Sequence, residues 1–236
     1  MAMDPEPPDP SALPAPEAPT ERELLEQPVK RAATAGDSTA ATTAALRLYG
    51  GEVYAFLVST AGSASLADEA YSDLCEVVWR QLCDFRWEAS LRSWMYSVAR
   101  KLALRHRVDG YRRQQRARPL ELAPEVEALA AEIRVSTLEI LRTSVKDGFR
   151  LLRAELPAEE QELLLLRVDR EMSWRDIARV LEDGPPQGGA GRADDGEPAD
   201  LDRKAAALRK RFERVRDRLR ALPPPAPAHR RWRRSP

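Results

Sequence analysis

The sequence predicts an all-α chain of two small helical domains, on three observations. Apolar residues recur at three- and four-residue spacing through most of the middle of the chain. No stretch shows the strict alternation of a strand. Pro- and Gly-rich segments separate two periodic blocks from each other and from both ends. The 236 residues include 38 Lys+Arg, 38 Asp+Glu, 19 Pro, 2 His and 2 Cys. With 32% charged and 6% aromatic residues, the chain can fill one or two small cores but not a single large one. Cys75 and Cys83 alone exclude a disulfide scaffold and a zinc site of paired cysteines. No apolar run approaches the roughly 18 residues of a membrane span. The acidic, Pro-rich beginning is unlike a signal peptide, so a cytoplasmic location is expected.

Residues 1–37 are expected to form a disordered acidic tail. Residues 1–30 hold eight prolines and seven acids against two bases, too little apolar surface to offset chain entropy. The first block spans 38–116. Leu46, Tyr49, Val53, Phe56 and Leu57 share one helical face, and Ala70, Leu74, Val77, Val78 and Leu82 share a second. Ser65 with Asp68 three residues on reads as the start of that second helix. A third stripe holds Leu91, Trp94, Met95, Val98, Ala99 and Leu102, and stripes of this width suit a bundle. Residues 117–135, with Pro119 and Pro124, are expected to link the blocks.

The second block spans 136–222. Pro157 suits a first helical turn, Leu163, Leu164, Leu166 and Arg167 follow, and Val168–Met172 turns the chain. Ser173 then caps a short helix with Trp174, Ile177, Ala178 and Leu181. Residues 182–200 (EDGPPQGGAGRADDGEPAD) are expected to be a disordered insertion. Leu208, Phe212, Val215, Leu219 and Leu222 recur at spacings of 4, 3, 4 and 3 on a last helix. Its other faces carry Arg209, Lys210, Arg211, Arg214, Arg216, Arg218 and Arg220. Two helices, a small alanine at their crossing and a basic third helix form a helix-turn-helix pattern. About two heptads are too short to prefer a coiled coil on periodicity. Residues 223–236 form a basic Pro-rich tail with four arginines.

Net charge is zero, but the charge is segregated. Residues 65–91 carry six acids against two bases, 95–118 eight bases against one acid, and 203–222 nine bases against two acids. An acidic surface beside two basic ones suits one protein partner and one polyanion. Catalysis finds little support. His106 and His229 lack a Ser, Cys or Asp partner at motif spacing, and GPPQGGAG lacks the Lys and Ser/Thr of a phosphate-binding loop. No enzyme activity, metal or cofactor is expected. Trp79, Trp94 and Trp174 read as core or turn anchors, and Cys75 as packed on an apolar face.

These motifs resemble the extracytoplasmic-function (ECF) type of RNA polymerase sigma factor. LYGGEVYAFL and ADEAYSDLCEVVWRQL resemble the family's core-binding helices, and DFRWEASLRSWMYSVARKLALRHR its strand-opening segment. LPAEEQELLLLRVDREMSWRDIARVL and ALRKRFERVRDRLRAL resemble its helix-turn-helix and recognition helix. The resemblance covers about 46–116 and 149–222. It implies core RNA polymerase and promoter DNA as partners, and leaves room for an anti-sigma factor. It implies a region 2-like domain at 38–116 for polymerase core and the −10 element, and a region 4-like domain at 136–222 for the −35 element. Core-polymerase contacts then fall on Asp68, Glu69, Asp73 and Glu76. Contacts to the −10 element fall on Phe85, Trp87, Arg100, Lys101, Arg105, Arg107, Arg112 and Arg113. Contacts to the −35 element fall on Ser173, Arg175, Arg209, Lys210, Arg211 and Arg214. The chain departs from the family in having Lys101 where Asn is frequent, Arg105 where Asp is frequent, and about twenty extra residues before the last helix. Two other readings fit the composition: a stand-alone helix-turn-helix regulator that never binds polymerase, and a helical adaptor whose basic faces bind an acidic protein.

Overall fold

The computed structural model describes residues 20–108, 122–143, 156–182 and 198–221. Among these residues the chain is all-α, with helices joined by turns and no strand.

The first helix, α1 (Glu21–Thr34), lies where the sequence pointed to a disordered tail. Thr20 and Glu23 form a reciprocal capping box that satisfies its first N–H groups. Glu26, Val29 and Ala33 face inward, one helical stripe that averaged composition conceals. Pro28 sits inside this helix and forfeits one hydrogen bond. Packing against α2 and against the 3₁₀ turn Leu82–Asp84 outweighs that loss. Residues 1–19 of the expected tail lie outside the described residues.

Helices α2 (Ser38–Ala45) and α3 (Gly51–Thr60) run on through a π-helical turn at Leu46–Gly50. Asp37 caps α2 by accepting from the Ala40 N–H at 2.8 Å. The cap of α4 (Ala64–Gln81) is Ser63, which accepts from the Leu66 N–H at 3.2 Å. The expected start at Ser65 is therefore displaced by two residues, because only Ser63 has the extended backbone a cap requires. Helix α5 (Leu91–Val108) packs against α3 and α4. Phe56 meets Tyr96 edge-on at 5.2 Å and Tyr54 meets Tyr71 at 5.0 Å, and all four rings are fully buried or nearly so.

Helix α6 (Pro124–Thr143) replaces most of the expected linker. Pro124 opens the helix, the position where proline loses no intrahelical bond. Val126, Ala130 and Thr137 are buried, and Leu129, Ile133 and Leu138 pack on the core beside α3. Residue 136 therefore lies within a helix of the first block, and does not begin the second. Residues 117–121 lie outside the described set.

The second block comprises α7 (Ala158–Leu164), a π-helical turn at Leu165–Asp169, α8 (Trp174–Val180) and α9 (Pro198–Ala221). Pro157 is the cap of α7, one position ahead of the first turn. Ser173 caps α8 as its sequence position suggests, accepting from the Asp176 N–H at 3.1 Å. Leu208 and Phe212 pack beside Trp174, while Val215 and Leu219 close over Leu156 and Leu164. The expected insertion shortens at its end, since residues 198–200 form the first turn of α9 behind Pro198. Residues 183–197 lie outside the described residues.

The blocks touch. Leu163, Leu166, Met172, Ile177 and Val180 join the same buried cluster as α1–α6, and α8 lies directly on α5.

Candidate nucleic-acid interface

The acidic row sits on α4 and is partly answered by neighbouring elements. Asp68 accepts from the Tyr54 hydroxyl at 2.6 Å. Asp73 meets His106 Nε2 at 2.8 Å and Arg105 at 3.2 Å. Glu69 approaches His106 Nδ1 at 3.4 Å, and Glu76 pairs with Arg80 one turn on at 2.6 Å. His106 is buried between the two carboxylates. The acidic stripe and the C-terminal part of the basic stripe thus face each other across α4 and α5. Helix α6 adds Arg134, which donates to Ser72 at 2.7 Å and lies 5.4 Å above the Tyr71 ring.

Between α4 and α5 lies the aromatic loop. Phe85 is half-buried between Trp87 at 5.1 Å and Trp94 at 5.2 Å. Trp87 adopts φ 61°, the left-handed region, which a bulky side chain enters only when its surroundings compensate. Its ring packs on Phe85, and Lys30 of α1 lies 5.6 Å above it. Phe85 and Trp87 are both half-buried and both pack against the core, with Phe85 held between the two tryptophan rings.

The basic row of α5 divides. Arg105 and Arg107 are exposed and Lys101 is half-buried. Arg112 and Arg113 lie outside the described residues. Arg100 departs from the exposed groove residue expected of it. It is buried, and its Nε lies 3.0 Å from both carboxylate oxygens of Glu162 in α7. Periodicity placed it on α5 but could not show that α7 covers that face.

Of the residues expected at a helix-turn-helix, Ser173 is committed to capping. Arg175 forms a bidentate pair with Asp202 at 2.7 and 3.1 Å. Arg211 pairs with Glu159 at 2.7 Å, Arg218 with Glu160, and Arg209 approaches Glu213 at 3.7 Å. Lys210 and Arg214 are exposed and make no ion pair among the described residues. They stand one helical turn apart on the face away from the core.

Several polar residues organise this region through contacts that the sequence does not signal, although Asp176 stands at the capping distance from Ser173. Arg92 holds Glu52 through two bonds at 2.7 and 2.8 Å and donates to the Arg170 carbonyl at 2.9 Å. Hydrogen bonding to Glu52 raises the Arg92 pKa further, so it stays charged. Asp176, 6% exposed, accepts from Ser93 at 2.7 Å, Ser173 at 2.7 Å and Arg22 at 3.2 Å. Burial alone would raise its pKa; the hydrogen bonds from Ser93 and Ser173 and the charge of Arg22 outweigh it and hold the carboxyl below the usual range. Apart from Ser173, three residues before Asp176, these partners are dozens of residues apart, beyond any spacing rule.

Among the described residues no cluster of His, Cys, Asp and Glu is placed to hold a metal, and no helix is long and apolar enough to cross a membrane. No curated protein and no solved structure matches the chain. Residues 45–117 match the Sigma-70 region 2 family model. The match runs from the end of α2 through the acidic helix α4, the aromatic loop and the basic helix α5.

Proposed function

We propose that the chain is an ECF-type sigma factor, which binds core RNA polymerase and directs it to promoters. The observation that carries this reading is the coincidence of the region 2 match with one structural unit: an acidic helix, an aromatic loop and a basic helix in succession. Region 2 of sigma factors binds the polymerase core and melts the promoter. Here the α4 acids would dock the polymerase. The exposed part of the half-buried Trp87 ring would stack an unpaired base of the −10 strand, because every base offers a π-face. Lys101, Arg105 and Arg107 would follow the phosphates. The second block would act as the helix-turn-helix, with Lys210 and Arg214 of α9 the most available cations for −35 DNA. Arg209 and Arg211 would join them by exchanging carboxylate for phosphate. The protein would perform no catalysis, since the polymerase makes the phosphodiester bond.

Reconstitution with core polymerase and run-off transcription over genomic fragments tests this. Specific transcripts that require the chain are expected. Trp87→Ala should weaken open complexes by about 1–3 kcal/mol beyond the stability its ring contributes by packing on Phe85, which thermal unfolding measures separately. No binding to core polymerase, combined with symmetric half-site binding by the isolated chain, would favour a stand-alone regulator.

A further inference from the structure

A base stacked on Trp87 brings its phosphates with it, and the aromatic loop does not supply the charge to hold them. The loop and the turn before it carry Asp84 and Glu88 against Arg86, all three exposed. Arg92, at the start of α5, is committed to Glu52 through two bonds at 2.7 and 2.8 Å. Arg100 is committed to Glu162, and Lys101 stands ten residues beyond Leu91. At 1.5 Å of rise per residue that is about 15 Å along the helix axis. Phosphates next to the stacked base therefore need cations from another element.

Helix α1 stands beside that loop. It packs against the 3₁₀ turn Leu82–Asp84, which leads into the loop, and sets Lys30 Nζ 5.6 Å above the Trp87 ring. Lys30 and Arg31 line one open hollow of about 520 Å³ together with Gln27, Thr34 and Ala35. These residues recur at i, i+3, i+4, i+7 and i+8, so they form one exposed face of the helix. The volume lies within the roughly 300–1,000 Å³ range of small-ligand sites. Neither cation makes an ion pair among the described residues. Two acids of the same helix are engaged elsewhere. Glu23 is bonded to Thr20 in the capping box, and Glu26 accepts from Tyr49 and from the first N–H groups of α5. The contact of an exposed lysine with a ring is weak, so Lys30 and Arg31 keep their charge for a polyanion.

We propose that α1 forms one wall of the unpaired-strand site, where Lys30 and Arg31 hold the phosphates that flank the base stacked on Trp87. The site rests on the reading of the aromatic loop as the −10 contact. It extends that contact to a helix outside residues 45–117, the span of the region 2 match. Lys30 leaves the ring when a base takes its place and turns to the adjoining phosphate, a shift that its flexible four-carbon stem allows. Phosphate contacts fix position and carry no sequence information. Helix α1 therefore adds affinity for any unpaired strand without altering base preference.

The test assembles the full chain with core polymerase, as wild type, Lys30→Ala, Arg31→Ala, the double variant and Lys30→Arg. Both side chains are exposed, so the substitutions leave the helix intact, and circular dichroism checks this. Lys30, not Arg31, lies over the Trp87 ring, so Arg31→Ala reads charge without disturbing the loop. Anisotropy is followed over a salt series with two labelled probes: a fork-junction DNA with an unpaired −10 strand, and a duplex that ends upstream of the −10 element. On the fork junction, the slope of log affinity against log salt is expected to fall by about 0.7 for each alanine variant and about 1.4 for the double variant. Lys30→Arg should keep the wild-type slope, and the truncated duplex should bind every form alike. An unchanged slope in the double variant overturns the site. So does an equal fall on the truncated duplex, which would place both cations on paired DNA. The sigma-factor reading stands in either case if wild type binds core polymerase and the fork junction. Failure of wild type to bind core polymerase overturns that reading together with the α1 site.

Discussion

Glu26 is an ionisable side chain in the interior, tolerated because three donors converge on it: the Tyr49 hydroxyl and the N–H groups of Leu91 and Arg92. The two N–H groups belong to the first turn of α5, where no intrahelical acceptor exists. Glu26→Ala should therefore cost about 1–3 kcal/mol in urea unfolding, because it strands buried donors. Glu26→Gln, which keeps an acceptor oxygen, should recover part of that loss. Equal stability of wild type and the alanine variant would mean that water reaches these donors. The two thiols offer a second residue-scale contrast. Burial pushes the Cys75 thiol up to about 12, while Cys83 is half-buried with its Sγ 3.3 Å from the Ser38 hydroxyl. Since the thiolate is the nucleophile, an alkylating reagent at pH 8 should modify Cys83 in the native protein and reach Cys75 only on unfolding. Mass spectrometry of the native digest checks this, and early labelling of Cys75 would contradict the packing described.

At the scale of elements, the α2–α3 bend and helix α6 depend on each other. A Cβ on Gly50 would stand 2.8 Å from the Tyr71 hydroxyl and 2.9 Å from Ile133 Cδ1, both nearer than real contacts allow. Gly50→Ala should cost about 1–3 kcal/mol by pushing aside the buried Tyr71 hydroxyl and the Ile133 terminal methyl, and adding Ile133→Ala should recover some of it. A silent Gly50→Ala variant would show that these side chains yield without loss. The cap of α4 gives a sharper discrimination. Ser63→Ala removes the acceptor for the Leu66 N–H and should cost about 1 kcal/mol. Ser65 only meets Glu69 at 3.4 Å on the surface, so Ser65→Ala should fall within about 0.5 kcal/mol of wild type. The reverse order in thermal unfolding would restore the start that local pattern suggested.

For the whole molecule, the contact between the blocks should depend on pH through Asp176. Its folded pKa is lowered, so its contribution is complete above the ordinary aspartate value of about 3.9 and is lost as pH falls through its own lower value. Wild type should exceed Asp176→Asn in urea midpoint at pH 6, and the gap should shrink as pH falls toward 3. A gap constant over that range would mean that the carboxylate charge contributes nothing to closure. The Arg100–Glu162 pair belongs to the same scale. Both side chains are 11% exposed, and removing one partner of such a pair leaves the other buried and uncompensated. Lys210 and Arg214, by contrast, cost the fold nothing to free. Their alanine variants should weaken DNA binding and lower its salt slope by about one each, with unfolding unchanged.

Local pattern determined the helical class, the apolar stripes of α3, α4, α5 and α9, the Ser173 cap, and the order of acidic helix, aromatic loop and basic helix. Each of these depends on residues within a turn or two of one another, so periodicity and capping chemistry reveal them. Pattern misjudged α1 and α6, because prolines and averaged acidity pointed to disorder while the stabilising partners lay on distant helices. It also gave Arg100 to the surface. Only the tertiary structure decided that Glu26 caps α5 from another helix, that Arg22 and Ser93 meet at Asp176, and that Glu162 covers Arg100. A side chain's own neighbours set which face of a helix it occupies; what stands opposite that face depends on how the chain returns, and that is settled by burial and charge pairing summed over the whole molecule.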